Sequence, residues 1–312
     1  ASTILGASSS LICTSVRTDV LDFVVRRSTA RCHHLDLGGD GTPNGADPVR
    51  WDLLGECRED TSPTARPHGG WERTGIITRA MMRAGGYDPS ASGTDSYFQQ
   101  RAERLLRCMF WLAANNNNSL ADLLGWVSDG DCSALAKMST QRPTTRRFVQ
   151  QFLRSRPDEL TDVFSTASNV LAVFEEPTVA DCLSVPGGPS ISLDDFFLRN
   201  ESLVITCGDQ LQSLVAPFIT AFLAAAREHL FALNRMSKQA QSVWVLDEAA
   251  NLAPLWDLPQ IASLAGGSGL HLVACYQDLS QVRKIYGADL AAGFLTLFTM
   301  KIVFGGILDG DT

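Results

Sequence analysis

The amino-acid sequence predicts an α/β fold: a mostly parallel sheet flanked by helices and interrupted by an inserted all-α domain. Strand-like apolar runs alternate with helical periodicity in residues 1–69 and again in residues 185–312, which is typical of parallel sheets. Residues 70–184 show only the three- and four-residue apolar spacing of amphipathic helices. We therefore expect one α/β domain built from the two outer segments and one helical domain built from the middle segment.

Length and composition are those of a globular protein. The 312 residues are enough for two domains, and the 45% hydrophobic and 19% charged fractions exclude a disordered tail or a fibre. The formal net charge of −8 offers no global basic field, so any contact with nucleic acid must depend on a local patch. No apolar run reaches the roughly 18 residues of a membrane span, and we expect neither a span nor a signal peptide.

Cysteine and histidine usage gives no indication of a metal site. The eight cysteines form no C-x-x-C pair, so we expect reduced thiols, a cytosolic compartment and no structural zinc. Cys13, Cys207 and Cys275 fall in apolar strand-like runs, where a free thiol behaves as a small hydrophobe. The only adjacent histidines, His33 and His34, have no acidic or thiol partner at ligand spacing, and we expect them to lie in a loop.

The first α/β segment contains two predicted strands. Apolar runs predict strands at residues 10–15 and 31–37, with a helix between them at residues 19–27. The glycine-rich run 38–45 is predicted to be a loop, because it lacks the G-x-x-x-x-G-K-[ST] spacing of a phosphate cradle. Residues 48–54 are predicted to be extended or part of a turn.

Helical periodicity fills the middle segment, and strands return after it. Helices are predicted at residues 76–84, 96–114, 120–127 and 157–175. A short helix with Ser192 as its N-cap is predicted to precede the remaining elements. These are a strand at 202–207, a helix at 212–234, a strand at 242–246, a helix at 257–265, and strands at 270–275 and 296–304.

Two carboxylates follow the most strand-like run of the chain. The apolar run 243–246 leads directly into Asp247 and Glu248, which predicts an interior strand ending at a polar site. An acid at this position can help to hold Mg²⁺ in phosphate-transferring ATPases, and an adjacent glutamate can accept a proton from water. The alternative is a strand that ends in two acids before a helix, where acids suit the positive end of the helix dipole.

A longer run of residues resembles the TraG/TraD-like coupling-protein ATPases of conjugation and type IV secretion, and most closely their actinobacterial members. These belong to the FtsK/HerA branch of RecA-like P-loop ATPases. The resemblance lies in Leu246–Asn251, Pro254–Leu255, Gly266–Gly269 and Leu272–Gln277, in that order. It extends to the T-S-x-[KR]-x-D segment at Thr14–Asp19. Further matching residues are Leu279, Gln281, Tyr286–Gly287 and Val303–Gly306.

The resemblance implies roles for individual residues. Asp247 would be the Walker B acid that supports Mg²⁺, and Glu248 would be the general base. Gln277 would sense the γ-phosphate or orient the attacking water, although a polar cap at the end of a strand is the simpler alternative. Arg17 and Asp19 would contact nucleotide or a neighbouring subunit, or would form a local ion pair in a surface turn.

The resemblance also suggests charged contacts with DNA or with a neighbouring subunit. Arg283 and Lys284 are candidates, with a solvated helix face as the alternative. In the helical segment Arg146 and Arg147 are candidates, because arginines with interleaved aromatics can follow a phosphate backbone. There the alternative is a helix with its aromatics in the core and its arginines in solvent. The same segment contains Arg142, Arg154, Arg156, Phe148 and Phe152.

As a whole, the resemblance implies an ATP- and Mg²⁺-dependent motor that recruits and pumps single-stranded DNA with attached protein. We expect a homo-hexamer when full length, with relaxase or other secreted cargo and inner-membrane secretion components as partners. It would act at the cytoplasmic face of the inner membrane, with this fragment soluble. The alternatives are an FtsK-like double-stranded DNA translocase and a non-catalytic cargo-binding module that lacks the phosphate loop.

The sequence departs from the family pattern at two places. No Gly-Lys dipeptide occurs, so the Walker A loop is expected to precede Ala1, and the fragment alone is expected to bind nucleotide poorly. Ser268 stands where relatives often have an arginine, which leaves the position of a trans-acting arginine open. The family's N-terminal membrane helices are also missing from the sequence, which we interpret as truncation.

Overall fold

The computed structural model describes residues 9–60, 69–88, 94–184 and 188–303. The chain divides into two compact units, each taken here by itself. The sheet unit contains the described parts of Ala1–Val49, Ile191–Thr220 and Ala226–Thr312. The helical unit contains the described parts of Arg50–Ser190 and Ala221–Ala225. The sequence boundaries at residues 69 and 184 remain a prediction.

Six strands form one sheet among the described residues, and every pair of neighbours is parallel. In chain order the strands are β1 (Ser10–Ser15), β2 (Cys32–Asp36), β3 (Asp47–Pro48), β4 (Ser202–Thr206), β5 (Ser242–Leu246) and β6 (Leu270–Ala274). Their spatial order is β3-β2-β4-β1-β5-β6. Together with the many helices, this sheet confirms the predicted α/β fold class.

Helices make up most of the remaining described chain. In order they are α1 (Thr18–Arg27), α2 (Leu53–Glu56), α3 (Gly69–Ala84), α4 (Thr94–Asn115), α5 (Leu120–Ser128), α6 (Ser133–Gln141), α7 (Arg146–Leu153), α8 (Pro157–Leu171), α9 (Pro177–Asp181), α10 (Leu193–Leu198), α11 (Gln212–Arg235), α12 (Leu258–Ser268) and α13 (Leu279–Phe294). Short 3-10 helices occur at Pro143–Thr145, Ala172–Glu175 and Leu295–Leu297.

Strand β1 lies between β4 and β5, and this position explains its apolar sequence. Cys13 pairs with Val204 on one side and with Val245 on the other. All six residues of β1 are buried, as expected for a central parallel strand. On one face, Leu21 and Val24 of α1 join the core formed by β1 and its neighbours. The carboxyl ends of β1, β5 and β6 therefore meet at one edge of the sheet.

The helical unit is organised around α4, which contacts α3 and α8. One face of α4 is fully buried, including Leu105, Met109 and Phe110. The Phe110 ring lies edge-on to Phe174, with 6.5 Å between ring centroids. Within residues 69–88 and 94–182 the structure contains helices and turns only, as the amphipathic periodicity predicts.

Helix α11 is the one helix of the described residues that is long and apolar enough to cross a membrane. In its most apolar 18-residue window, 72% of the helix is buried inside the protein. Core helices of soluble proteins share this property, so the feature alone assigns no membrane span.

The strand predicted at residues 296–304 is wrong over its described part. Residues Leu295–Leu297 form a 3-10 helix, and residues 298–303 have no strand conformation. The ring of Phe294 packs on Phe298 with 5.3 Å between centroids, across the 3-10 turn that separates them. The apolar residues that suggested a strand are instead largely exposed.

The helix predicted at residues 257–265 extends to Ser268, through two glycines. It ends at Gly269, which has a φ of 76° in the left-handed region that favours glycine. Asn234 Nδ2 of α11 donates to the Ser268 carbonyl at 2.7 Å and so provides a partner for the helix end. A cap that comes from another helix cannot be recognised from local sequence.

His33 and His34 both lie on β2 and are buried, so the loop predicted for this pair is wrong and the strand predicted at residues 31–37 contains them. His33 Nε2 is 2.7 Å from Glu201 Oε2, and His34 Nε2 is 2.8 Å from Thr206 Oγ1. Thr42 Oγ1 lies 3.0 Å from His34 Nδ1, so both ring nitrogens of His34 have partners inside the protein, whereas His33 Nδ1 is buried without one among the described residues. In the part of the chain that the structure describes, no three His, Cys, Asp or Glu residues converge as a metal site.

Of the three cysteines expected inside strands, two are buried and one is exposed. Cys13 and Cys207 are buried, as a small hydrophobe would be. Cys275 is exposed, because β6 ends at Ala274 and the chain turns toward the sheet edge there. All eight thiols are free.

Candidate functional site

The site begins at Asp247, the first residue after β5. Its backbone N–H donates to the Thr14 carbonyl at 3.2 Å, which continues the ladder between β5 and β1. The Ser15 hydroxyl donates to Asp247 Oδ2 at 3.2 Å. Asp247 is half-buried, whereas Ser15 is fully buried. The last residues of β1 therefore fix both the backbone and the carboxylate of Asp247.

Glu248 has a left-handed backbone, with a φ of 50°. This conformation costs a non-glycine residue roughly 1–2 kcal/mol and persists only when neighbouring contacts enforce it. The Ala249 N–H donates to the Cys275 carbonyl at 3.0 Å, and the N–H groups of Asn251 and Leu252 both donate to the Glu248 carbonyl at 2.9 Å. The turn holds the Glu248 side chain where the ends of β5 and β6 meet.

Gln277 lies three residues after β6 and contacts Glu248 directly. Its Nε2 donates to Glu248 Oε1 at 2.9 Å and to Oε2 at 3.2 Å. Asn251 Nδ2 donates to the same Oε2 at 3.2 Å. The structure therefore brings together Asp247, Glu248 and Gln277, the three residues selected from the sequence.

The start of α13 positions Gln277. The Asp278 carboxylate caps this helix by accepting from the N–H groups of Ser280 at 2.6 Å and Gln281 at 3.2 Å. The Gln281 side chain in turn accepts from the Gln277 backbone N–H at 2.9 Å. A hydrogen bond from the Ser280 hydroxyl, together with those from the Ser280 and Gln281 N–H groups, lowers the pKa of the Asp278 carboxyl.

Sequence reasoning did not assign roles to Ser15 and Asn251. Ser15 lies inside the T-S-x-[KR]-x-D segment, and a hydroxyl at the end of an apolar strand was the available signal. Asn251 lies three residues after Glu248, the spacing at which a side chain returns to the same turn. Both contacts depend on the conformation of the turn, which the residue types alone do not specify.

The nearby thiols remain protonated around neutral pH. Burial raises the pKa of Cys13 to about 12, and the Asp247 carboxylate adds to this effect. Partial desolvation raises the pKa of the Cys275 thiol although the residue is exposed, and the Asp247 and Glu248 carboxylates add to this effect. Because the thiolate is the reactive form, neither cysteine is a nucleophile here. The chemistry of the site therefore depends on its carboxylates, amides and hydroxyl.

Arg17 and Asp19 form a surface ion pair next to this site. Arg17 Nη2 lies 2.6 Å from Asp19 Oδ2, and the side chains are 71% and 60% exposed. The Arg17 N–H donates to the Ser15 hydroxyl at 3.1 Å, so the same hydroxyl links this turn to Asp247. The observed pair is the simpler of the two alternatives left open by the sequence.

The glycine-rich loop after β2 already holds a carboxylate from its own chain. The Asp36 side chain accepts from four successive backbone N–H groups, those of residues 38 to 41, at 2.7–3.3 Å. Backbone amides arranged in this way can hold an anion. Because Asp36 occupies them, this loop is a closed turn rather than a phosphate cradle.

The candidate nucleic-acid contacts have different surroundings. Arg283 and Lys284 are exposed on α13. In the helical unit, Arg146 and Arg147 of α7 are exposed while Phe152 is fully buried. This arrangement matches the alternative of aromatics in the core and arginines in solvent.

Arg142 packs inside the helical unit and is therefore not a candidate DNA contact. Its guanidinium lies 4.4 Å from the ring centre of Trp71 and 3.2 Å from Glu59. Only 12% of its side chain is exposed. An arginine stacked and paired in this way is part of the packing of the helical unit.

Similar solved structures share this fold. The bacterial conjugative coupling protein TrwB, lacking its first 70 residues, aligns with a TM-score of 0.55 and 16% identity over 93% of this chain and 67% of its own. TrwB with the ATP analogue ADPNP gives 0.57 and 17%, and TrwB with ADP and Mg²⁺ gives 0.57 and 16%, both over 93% and 69%. No curated protein sequence matches significantly.

A family model also matches the chain, and it identifies the family. The model describes the DNA-binding domain of type IV secretion-system coupling proteins, and it matches residues 84–312. The match covers most of the chain and includes Asp247, Glu248 and Gln277. The chain therefore belongs to the type IV secretion-system coupling protein family.

Proposed function

We propose that the chain is part of the ATP-driven motor of a coupling protein that recruits and pumps single-stranded DNA with attached protein. One observation carries this proposal: Gln277 donates to Glu248 beside Asp247, at the carboxyl ends of adjacent parallel strands. A carboxylate suited to a metal ion, a base and a neutral orienting group in one place are three of the parts that water-driven phosphoryl transfer uses.

The residues of the sheet edge suit Mg²⁺. Asp247 presents a half-buried carboxylate whose Oδ2 is oriented by the Ser15 hydroxyl. Both are hard oxygen donors, and Mg²⁺ is often held by one or two carboxylates while it keeps several waters. When bound, Mg²⁺ would neutralise charge on the phosphates. Bound ATP analogue, ADP and Mg²⁺ in TrwB support the same cofactors for this chain.

Glu248 would accept a proton from the attacking water. Its two carboxylate oxygens receive three hydrogen bonds, two from Gln277 and one from Asn251. A carboxylate has about four lone-pair sites, so acceptor capacity remains for water. Gln277 would hold the carboxylate in one orientation and contribute a neutral acceptor, Oε1, near the same water.

The partners and assembly of the proposed motor follow from family membership and exposed charge. The family description supports DNA as a partner. Exposed Arg283 and Lys284, on the helix that starts just after Gln277, are suited to DNA or to a neighbouring subunit of a hexamer.

We propose Arg146 and Arg147 as secondary DNA contacts, and Arg17 and Asp19 as contacts with nucleotide or a subunit. We also propose that the motor takes relaxase as cargo and acts at the cytoplasmic face of the inner membrane.

The test is ATP hydrolysis by the full-length protein with Glu248→Gln. Loss of the base is expected to lower kcat by roughly 10²- to 10⁴-fold while nucleotide binding is retained. Asp289→Asn is the matched control, since it removes an exposed carboxylate of α13 outside the site. Equal rates of hydrolysis in wild type and Glu248→Gln would exclude Glu248 as the base. No hydrolysis by the wild-type full-length protein would contradict the motor and favour a non-catalytic cargo-binding module.

A further inference from the structure

The helical unit contains a cavity of about 410 Å³ between α4 and the segment from α7 to α8. Its charged lining consists of Arg101, Arg104, Arg154 and Glu159. Three arginines against one glutamate make the cavity basic, although the whole chain carries a net charge of −8. The size lies within the range of about 300–1,000 Å³ that is usual for ligand pockets. We call this cavity the arginine pocket.

Arg101 is a fixed part of the pocket wall. Its side chain is 13% exposed and lies 3.6 Å from Glu159. Its guanidinium donates to the Tyr97 and Ser155 hydroxyls and stacks on the Phe152 ring, 5.0 Å from the centroid. These partners occupy Arg101 and balance the only acidic residue of the lining.

Arg104 and Arg154 supply the charge that remains available. Both are exposed, and the Arg104 guanidinium stacks on Phe148, 5.6 Å from the ring centroid. Stacking covers the flat face of a guanidinium and leaves its N–H edges directed outward. Such an edge matches the two oxygens of a carboxylate, and the paired hydrogen bonds are among the stronger ones in proteins.

The aromatic rings of the pocket are poorly placed for bases. Arg101 lies over the rings of Tyr97 and Phe152, and Arg104 lies over Phe148. A nucleobase would have to displace these guanidinium groups before it could stack. An acidic peptide does not have to displace the guanidinium groups, because its side-chain carboxylates bind their N–H edges. The Gln151 side chain in the lining can both donate to and accept from a peptide group.

We propose that the arginine pocket binds an acidic peptide segment of a partner protein, with Arg104 and Arg154 donating to its carboxylates. The pocket lies in the helical unit, and its occupation requires no nucleotide. The site goes beyond the proposed motor, so its test is independent of ATP hydrolysis.

The test is fluorescence anisotropy of a labelled glutamate-rich peptide titrated with the 312-residue chain. We expect saturable binding that weakens with salt and is lost when glutamines replace the glutamates in the peptide. Arg104→Gln and Arg154→Gln should each weaken binding roughly tenfold, because each removes a charge-assisted hydrogen bond. Lys137→Gln, which removes an exposed charge of the same unit outside the pocket, should leave binding unchanged.

Three outcomes would overturn the proposal. The first is no saturable binding of the peptide, and the second is an equal loss of affinity in all three variants. The third is tighter binding of a single-stranded oligothymidylate that depends on the same two arginines, since this would identify a nucleic-acid site. Photo-crosslinking of the peptide to the wild-type chain avoids any effect of substitution on folding. Crosslinks should map to α4 and to the segment from α7 to α8, and crosslinks found only elsewhere would exclude the pocket.

Discussion

Gln277 donates through one amide nitrogen to both carboxylate oxygens of Glu248, at 2.9 and 3.2 Å. The two residues follow adjacent parallel strands and are 29 positions apart in the chain. A neutral donor in this place holds the carboxylate of the proposed base in one orientation. The contact therefore couples the geometry of the sheet edge to the orientation of Glu248.

Gln277→Glu tests this coupling in the full-length protein. The substitution places a second carboxylate about 3 Å from Glu248, and like charges at this distance disfavour ionisation of the pair. Hydrolysis requires ionised Glu248, so the acidic limb of the pH–rate profile should move up by about 1–2 pH units. Gln260→Glu, at an exposed position of α12, is the control and should leave the profile in place. If neither variant changes the pH–rate profile, the residue at position 277 does not influence the base.

The left-handed backbone of Glu248 predicts an unusual order of stability for two variants. Glu248→Gly and Glu248→Ala lose the same side-chain contacts, but only glycine adopts a φ of 50° without steric cost. Glu248→Gly should therefore be more stable than Glu248→Ala by about 1 kcal/mol in urea unfolding. Both variants should lose ATP hydrolysis in the full-length protein.

The control for this prediction is Glu228, which lies inside the right-handed helix α11. There the order should reverse, with Ala more stable than Gly by about 1 kcal/mol. The same order at both positions would show that the turn relaxes, and that Glu248 is not held in a strained conformation in solution.

The sheet was predictable because parallel strands are buried on both faces and appear as continuous apolar runs. Strand β1 matches its predicted range of residues 10–15, and β5 matches residues 242–246. The two-residue strand β3 is too short to produce such a run. Helix α7 was not predicted as a separate element, because its arginines and aromatics were interpreted for binding rather than for periodicity.

The sequence predicted the part of the site that depends only on which strands are neighbours. Residues at the ends of adjacent parallel strands must lie together, and this rule applies to Asp247 and Gln277. The Ser15 hydroxyl contacts Asp247 across 232 positions of sequence, which requires knowledge that β1 and β5 are neighbours. The conformation of the Glu248 turn depends on hydrogen bonds to residues after β6, so no local pattern contains it.

His34 predicts a dependence of stability on pH. Burial lowers the pKa of His34 from its ordinary value of 6.5, and the charges of Asp36 and Asp40 oppose this only in part. The unfolded chain therefore binds a proton more readily, and the contribution of His34 to stability is lost as the pH falls below 6.5. The slope from this one group is at most about 1.4 kcal/mol per pH unit.

The measurement compares urea unfolding of wild type and His34→Gln at several pH values between neutral and mildly acidic. The variant should lose less stability than wild type on acidification, because it lacks the buried group that must gain a proton. His271→Gln, at an exposed position, is the control and should follow wild type. A steeper loss in His34→Gln would reverse the sign and show that His34 is charged in the folded protein.

Two glycines at the end of α12, Gly267 inside the helix and Gly269 directly after it, predict opposite effects of alanine. At Gly269 the φ of 76° disfavours any side chain, and an added Cβ would clash with the Ala240 carbonyl oxygen. Backbone strain of roughly 1–2 kcal/mol and overpacking of roughly 1–3 kcal/mol should together destabilise Gly269→Ala by about 2–4 kcal/mol. Asn234, which caps the helix at this point, would have to move as well.

At Gly267 an added Cβ meets no atom within 4 Å, and the backbone is helical. Gly267→Ala should therefore stabilise the protein by about 0.5–1 kcal/mol, because alanine favours the helix and restricts the unfolded chain. Urea unfolding of the two variants side by side measures the difference. Similar stabilities would mean that α12 ends before Gly267, in agreement with the shorter helix predicted from the sequence and against the end at Ser268.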